Sequence, residues 1–214
     1  MGWMPHGSVA QLASWCGVVC DRLRGQHPGI REVRDPMAPK VPQSSLVLAA
    51  LITGNHRAVA RQSGANPERL GMRLARACAL ACVLEPLPCS VSELFESDPS
   101  EVIEVHTHEV ASGPDPYARV DASARTEALA LIVMLAPLGS GFEGESELGF
   151  RISQERAFAA VAHVLHSCAA VRAKVATHEV RVLAALVGHA DWRIHWVGEH
   201  PEQGAILRAF RGNA

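Results

Sequence analysis

Histidines give this chain its most evident capacity for chemistry. The 214 residues include 11 of them, and an imidazole can bind a transition metal or carry a proton near neutral pH. His106 and His108 alternate along a segment rich in Val and Ile, and His163 and His166 lie three residues apart on an expected helix. Further donors follow at His178, His189, His195 and His200. A catalytic zinc site needs three converging ligands, and the chain has no His-Glu-x-x-His pattern. The sequence therefore favours dispersed surface histidines, and no metal or cofactor is predicted.

The cysteines and the one glycine-flanked serine offer weaker signals. Cys16 and Cys20, like Cys78 and Cys82, are four residues apart within apolar stripes, where a thiol packs as a small hydrophobic group. Ser140 lies between two glycines, but it lacks the Gly-x-Ser-x-Gly pattern of a nucleophile elbow. The nearby acids Glu143 and Glu145 belong to the same glycine-rich loop and read as a solubilising surface.

Arginines between two expected helices suggest a different chemistry. Residues 58–74 contain a glycine turn and an Asn-Pro step, and Arg69, Arg73 and Arg76 follow at helical spacing. That pattern is typical of a helix-turn-helix whose arginines contact phosphates or guanine edges. A solvated arginine face is the alternative. The formal net charge of −2 gives no bulk electrostatic support for nucleic acid as a partner.

Composition and periodicity indicate helices as the elements that position these residues. Hydrophobic residues make up 48% of the chain but aromatic residues only 5%, which favours helices packed through Ala, Leu and Val. Apolar spacing and breakers predict helices over 8–23, 44–52, 56–63, 66–84, 121–135, 153–168, 177–187, 191–197 and 201–210. Residues 101–110 alternate weakly and predict a lone strand or an extended linker. The N-terminus has no secretory signal pattern and no apolar run is long enough to span a membrane, so we expect a cytoplasmic protein.

An internal repeat relates two parts of this series of elements. The pentapeptide Val-Leu-Ala-Ala-Leu occurs at 47–51 and again at 182–186. Each copy is followed by two glycines, a proline and a glutamate in corresponding order, at Gly54, Gly64, Pro67 and Glu68 in the first and Gly188, Gly198, Pro201 and Glu202 in the second. A repeat of this kind predicts two like structural units.

The repeat resembles the N-terminal domain of Clp-type unfoldase ATPases, which has two four-helix repeats related by pseudo-twofold symmetry. Residues 47–52 and 182–187 are similar to the family's apolar helix, and 64–68 to its Gly-Val-Asp-Pro-Glu turn. Ile152 and Ser153 match the start of its long helix, and Thr177 follows at close to the family spacing. The likeness covers about residues 8–84 and 150–211. No Gly-x-x-x-x-Gly-Lys-Ser/Thr loop is present, so no ATPase motor is expected.

We therefore expect an all-α fold of two pseudo-symmetric four-helix repeats, residues 1–84 and 150–214, joined by an insertion, 85–149, that contains one helix and could hold a short strand. The resemblance implies a non-enzymatic, peptide- or protein-binding adaptor. Its expected partner is a protein or peptide, such as an unfoldase or its clients, rather than nucleic acid or membrane. Binding would use the helix starts at Ser44, Ser45, Thr177, His178 and Glu179, although the family's glutamate is replaced at the first of these. A helix-turn-helix regulator using Arg69, Arg73 and Arg76 is the alternative.

Overall fold

The computed structural model describes residues 43–65, 78–108, 115–125, 129–138 and 147–211. Its helices are α1 (Gln43–Gln62), α2 (Val91–Phe95), α3 (Pro116–Ala124), α4 (Glu147–Ser167), α5 (Ala169–Ala176) and α6 (Gln203–Arg211). Its strands are β1 (Ala79–Val83), β2 (Val102–His106), β3 (Leu131–Pro137), β4 (Arg181–Val187) and β5 (Ile194–Gly198). Within these ranges, no helix combines the length and the apolar character that crossing a membrane requires.

The strands form one sheet in the order β2-β1-β3-β4-β5. The first four are parallel, and β5 runs antiparallel to β4 with an irregularity between Ala184 and Ala185. β1 is buried along its whole length and β3 and β4 at all but one position. Strands covered on both faces read as continuous apolar runs, whereas the partly exposed edge strands β2 and β5 carry polar side chains.

Helices cover the two faces of the sheet with separate apolar clusters. On the α1 face, Val47 and Leu51 of α1 and Leu94 of α2 pack in one cluster with alternate residues of the central strands, such as Ala81 and Val133. On the α4 face, side chains of α3, α4 and α5 pack in a second cluster with the other alternate residues. The list of that second cluster includes Val120, Val161, Val171, Cys82, Met134 and Ala184. Because successive strand residues point to opposite faces, each central strand contributes to both clusters.

The prediction of an all-α fold is wrong. Residues 79–83, 131–137 and 182–187, all predicted as helical, are strands in the middle of the sheet. Short continuous apolar runs have no periodicity that separates a buried strand from a buried helix, and burial on both faces is what selected the strand. The resemblance to the Clp repeat domain is wrong for the same reason, since two copies of a helical repeat cannot each supply strands to one sheet.

Several predicted boundaries fail in the same way. Gly54 does not end a helix: α1 continues through it, and a Cβ there would clash with the Phe95 backbone carbonyl of α2. Thr177 ends α5 instead of beginning a helix, and the predicted helix over 191–197 overlaps strand β5. Of the two alternatives for residues 101–110, a lone strand or an extended linker, the structure has a strand, β2, which is not alone but pairs with β1. Gly64 adopts φ 80° just after α1, as a helix-ending glycine does. The predicted helix over 8–23 lies outside the described residues.

Candidate functional site

The carboxyl ends of the parallel strands are where this type of sheet places a site. Chains leaving β1 and β3 pass to opposite faces, because α2 packs on the α1 face and α4 on the other. Such a switch opens a crevice beyond the strand ends, where ligands of open α/β sheets bind. Among described residues, this edge carries Glu85 after β1, paired at 2.9 Å with Arg156 of α4, and the residues that follow β2. The loop of Ser140, Glu143 and Glu145 follows β3 but lies outside the described residues.

An open cavity of about 460 Å³ lies beside the ends of β1 and β2, and we name it the histidine cavity. Its lining consists of Val83, Pro86, Leu87, Cys89, Ser90, Glu104, His106 and His108. The apolar residues come from the strand β1 and the loop after it, and most of the polar ones from β2 and its continuation. A pocket with apolar walls and a few convergent polar groups is the usual form of a small-ligand site.

A capped helix start holds one wall of the histidine cavity. Ser90 is the N-cap of α2, and its Oγ accepts from the Glu93 N–H at 3.3 Å. The Ser90 N–H donates in return to Glu93 Oε2 at 2.9 Å, which completes a capping box. These hydrogen bonds from Ser90 hold the pKa of the Glu93 carboxyl below its usual value. The reciprocal bonds fix Ser90, and with it the adjoining Cys89, at the cavity wall.

Two side chains of β2, Glu104 and His106, are in contact in the cavity. Glu104 and His106 are two residues apart on a strand, so both point to the α1 face. The Nε2 of His106 lies 2.8 Å from Oε1 of Glu104, and about a third of each side chain is exposed. A carboxylate at this distance orients the ring and stabilises positive charge on it.

His108 lies beside this pair on backbone that is held to β1. The Thr107 N–H and Oγ donate to the Val83 carbonyl at 2.9 and 3.2 Å, and the side chain of Tyr117 is hydrogen-bonded to Thr107. The Nδ1 of His108 is 3.4 Å from the same carbonyl, and its ring meets that of His106 edge-on with centroids 5.3 Å apart. In the tautomer that carries its hydrogen on Nδ1, that hydrogen is directed at the carbonyl and Nε2 is the basic nitrogen of the ring.

Cys89 is a neutral thiol in this site. Burial, together with the carboxylates of Glu93 and Glu104, raises its pKa to about 11. A cysteine nucleophile reacts as the thiolate, so the surroundings of Cys89 oppose that role at neutral pH. In the part of the chain that the structure describes, no three His, Cys, Asp or Glu side chains converge in a way that could hold a metal ion. The side chains that line the cavity therefore offer proton-transfer groups rather than an activated thiol.

A second cavity of about 280 Å³ adjoins the first along β2. Its lining consists of Val91, Ser92, Ser97, Pro99, Val102, Ile103 and Glu104. Glu104 lines both cavities, so they follow one another along the edge strand. We name this one the edge cavity.

The predicted binding residues lie elsewhere and on separate elements. Ser44 is buried and Ser45 half-buried in the first turn of α1. Thr177, His178 and Glu179 form the exposed turn between α5 and β4, where the Thr177 hydroxyl donates to Glu179 Oε1 at 2.7 Å. Thr177, His178 and Glu179 do not lie at the start of a helix, because their turn follows the end of α5 and leads into strand β4. Arg69, Arg73 and Arg76 lie outside the described residues.

Sequence reasoning found part of the site and missed the rest. It singled out His106 and His108, but as metal donors, and it did not include Cys89, Ser90 or Glu104. The signal that could have found Glu104 is its spacing, because residues 104, 106 and 108 alternate at the end of a strand. No comparable signal marked Cys89 and Ser90, which reach the cavity only through the loop between β1 and α2.

Comparison with known proteins gives a remote structural likeness. No protein-family model matches the chain, and no curated protein matches it. A solved structure of a tetrameric β-carbonic anhydrase from the filamentous ascomycete Sordaria macrospora is similar, with 12% identity, a TM-score of 0.47, and coverage of 90% of this chain and 96% of that one. The β-carbonic anhydrase CafA of the fungal pathogen Aspergillus fumigatus is also similar, with 14% identity, a TM-score of 0.44, and coverage of 78% and 97%.

These findings overturn the functional predictions that depended on helices. The non-enzymatic adaptor required a Clp-like helical repeat, but the chain folds as an α/β sheet. The helix-turn-helix alternative placed its arginines on a helix predicted over 66–84, whereas 79–83 of that span is strand β1. The assignment of the chain as a non-enzyme and as a chaperone or protease adaptor is wrong with them.

Proposed function

We propose that this protein is an enzyme that activates water, or a substrate hydroxyl, by proton transfer in the histidine cavity. The observation that carries the proposal is that a basic imidazole, His108, and a carboxylate–imidazole pair, Glu104 and His106, line one cavity. That cavity lies at the edge of the sheet where α/β folds bind ligands. The two structural neighbours do not carry the proposal, because the likeness to them is too remote to transfer an activity.

His108 is the general base in this proposal. It is exposed and lies beyond the end of β2, where Thr107 is fixed to the Val83 carbonyl. It takes a proton from water as the water oxygen bonds to a carbonyl carbon of the substrate. The bond from that carbon to the leaving group then breaks, and His108 returns the proton to the leaving group. An imidazole can both accept and return a proton, as these two steps require.

Glu104 and His106 support the charge that forms on His108. When His108 is protonated, its positive charge lies in edge contact with the His106 ring, which the Glu104 carboxylate holds at 2.8 Å. The carboxylate attracts that charge because the pair is partly removed from water. Ser90 lies at the opposite wall, where its hydroxyl donates to Glu93 Oε2 at 2.7 Å and its oxygen can accept a hydrogen bond from a substrate.

Hydrolysis of p-nitrophenyl acetate tests this assignment without knowledge of the natural substrate. We expect turnover above the rate of free imidazole. His108→Gln should lower kcat/KM by about 10²-fold, the usual share of a general base, and Glu104→Gln by about tenfold. His189→Gln is the matched control, since His189 is exposed in the loop after β4. Equal rates for His108→Gln and His189→Gln would reject the proposal.

A further inference from the structure

The outer edge of β2 is a row of backbone groups directed away from the sheet. The Thr107 N–H donates to the Val83 carbonyl of β1, and backbone groups of a strand alternate in direction with a period of two. Residues 103 and 105 therefore face β1 like Thr107, whereas the N–H and C=O of Val102 and Glu104 point outward. Within the described ranges, β2 is an edge strand of the sheet, and no strand pairs with its side opposite β1. An edge of this kind is a template for an added strand.

The side chains along this edge provide matching recesses. The edge cavity lies at Val102 and Glu104, and the histidine cavity at Glu104 and His106. These residues share the α1 face, because they are two apart on the strand. An extended chain added beside β2 would also direct every second side chain to that face. Consecutive same-face side chains of such a chain would then meet one cavity after the other.

The charge around the edge selects the kind of chain that fits. Residues 79–108 contain no Lys or Arg, and their acids are Glu85, Glu93, Glu96, Asp98, Glu101 and Glu104. Two of them are neutralised from other elements: Glu96 pairs with Arg57 at 2.6 Å, and Glu85 with Arg156 at 2.9 Å. Glu101 and Glu104, the second of which contacts His106 at 2.8 Å, give β2 and the approach to it an acidic character. Complementarity therefore favours a basic partner.

We propose that the substrate of this enzyme is carried on an extended, lysine- or arginine-rich peptide segment that adds as a strand to the outer edge of β2. The segment's main chain pairs with Val102 and Glu104, as in β-strand addition. One basic side chain lies near Glu104, and the next same-face group enters the histidine cavity. The inference rests on the proposed function for the identity of that cavity, and its test measures binding without turnover, so that each can fail separately.

Fluorescence anisotropy with a labelled peptide of alternating lysine and threonine tests the inference. Two further probes carry N-methyl groups on every odd or on every even main-chain nitrogen, so that only one of them blocks the edge facing β2. We expect the unmodified peptide and one methylated probe to bind, and the other to bind about tenfold more weakly, as the loss of main-chain hydrogen bonds implies. A glutamate–threonine peptide should also bind about tenfold more weakly or worse.

Protein variants supply the matched control. Glu104→Gln should weaken binding of the lysine peptide several-fold, whereas Glu179→Gln, which removes an exposed acid in the turn before β4, should leave it unchanged. Circular dichroism establishes that both variants are folded. Equal binding of both methylated probes, or of the acidic peptide, would overturn the inference. A stable dimer that the peptide does not displace would assign the edge to a second copy of the chain and overturn it as well. Turnover of p-nitrophenyl acetate without peptide binding would retain the proposed function alone.

Discussion

The pentapeptide Val-Leu-Ala-Ala-Leu folds twice in this molecule and takes a different form each time. At 47–51 it lies within helix α1, and at 182–186 within strand β4. In α1, Val47, Ala50 and Leu51 are buried while Leu48 and Ala49 are half-exposed, as expected for one apolar stripe of a helix. In β4 all five residues are buried. The same side chains serve both forms, because Ala and Leu favour helices, Val favours strands, and neither preference exceeds about 1 kcal/mol per residue.

What surrounds each copy decides its form. α1 covers the sheet from one side, whereas β4 lies between β3 and β5 and is covered on both faces. Alternate residues of β4 enter different clusters: Leu183 and Ala185 join the one that holds Val47 and Leu51 of the other copy. The first copy therefore packs into the same cluster as the second. The local sequence is the same in both copies, so the difference in tertiary context determines whether each copy is a helix or a strand.

A charge placed at equivalent positions of the two copies should separate them most strongly. Ala184 has no exposed surface and belongs to the cluster between the sheet and the helices of the α4 face. Ala184→Asp therefore buries a carboxylate in that cluster, and we expect a loss of at least about 4 kcal/mol and failure to fold. Ala49 is half-exposed on α1, so Ala49→Asp should cost only about 1 kcal/mol through helix propensity. Urea unfolding followed by circular dichroism measures both. Similar losses in the two variants would mean that the copies occupy equivalent environments.

The next largest effect concerns Asn55, which connects α1 to α2 and to the β4–β5 hairpin. Asn55 of α1 is buried, and its Nδ2 donates to the carbonyls of Leu94 at 3.1 Å and Trp192 at 2.8 Å. Its Oδ1 accepts from the Ile194 N–H, which begins β5, at 3.0 Å. Asn55→Ala leaves three buried backbone groups without these partners and should cost about 2–4 kcal/mol.

Gln62→Ala is the control for Asn55. Gln62 also joins α1 to the hairpin, donating to the Ala190 carbonyl at 2.9 Å, but it is exposed, so its loss should cost about 0.5 kcal/mol. Chemical denaturation of both variants tests the difference. If Asn55→Ala were as mild as Gln62→Ala, α1 and the β4–β5 hairpin would not depend on this amide for their connection.

Alkaline pH should weaken the core around the strand copy. Val182, Ala184 and Leu186 share a cluster with Cys82 and Cys168. Burial raises the pKa of the Cys168 thiol to about 11 and that of Cys82 further still. Each thiol stays protonated in the folded state at pH values where it ionises in the unfolded chain. The free energy of unfolding should therefore fall above about pH 9, by up to about 1.4 kcal/mol per pH unit for each thiol.

Cys82→Ala identifies the source of that slope. The variant should be less stable at neutral pH because it leaves a small cavity, but its stability should fall less steeply between about pH 9 and 11. Unfolding in urea at several pH values gives both quantities. An unchanged slope would show that Cys82 does not titrate differently in the two states.

The sequence predicted some elements well and for identifiable reasons. A strand was one of two expectations around Val102–His106, because that segment is rich in Val and Ile and alternates weakly. The helix end at Gly64 was expected because glycine commonly follows a helix, and Gly64 does take a positive φ there. β1, β3 and β4 were read as helices because buried strands of a parallel sheet lack alternation. The echo of glycines and prolines suggested two like units, but in the second copy Gly198 ends strand β5 instead of separating helices.

The site was less predictable than the fold. His106 and His108 could be recognised by residue type. Their neighbours Cys89 and Ser90 come from the loop before α2, which lies at least 16 residues before His106 in the chain. Only the parallel pairing of β1 with β2, which brings Val83 opposite His106, places these segments side by side. That pairing could not be inferred while β1 was interpreted as part of a helix.

The smallest predicted effect concerns His178, which lies in the turn before the second copy of the pentapeptide. His178 adopts φ 60° in the exposed turn where α5 ends and the chain passes into β4, a conformation that costs a residue with a Cβ about 1 kcal/mol relative to glycine. His178→Gly should therefore raise the free energy of unfolding by up to about 1 kcal/mol, whereas His178→Ala should not. The gain is limited because glycine also increases the entropy of the unfolded chain. Thermal and urea unfolding of the pair measure it. A glycine variant less stable than the alanine variant would mean that the backbone of this turn is not strained at His178. The conformation of the turn would then depend on the hydrogen bond between Thr177 and Glu179.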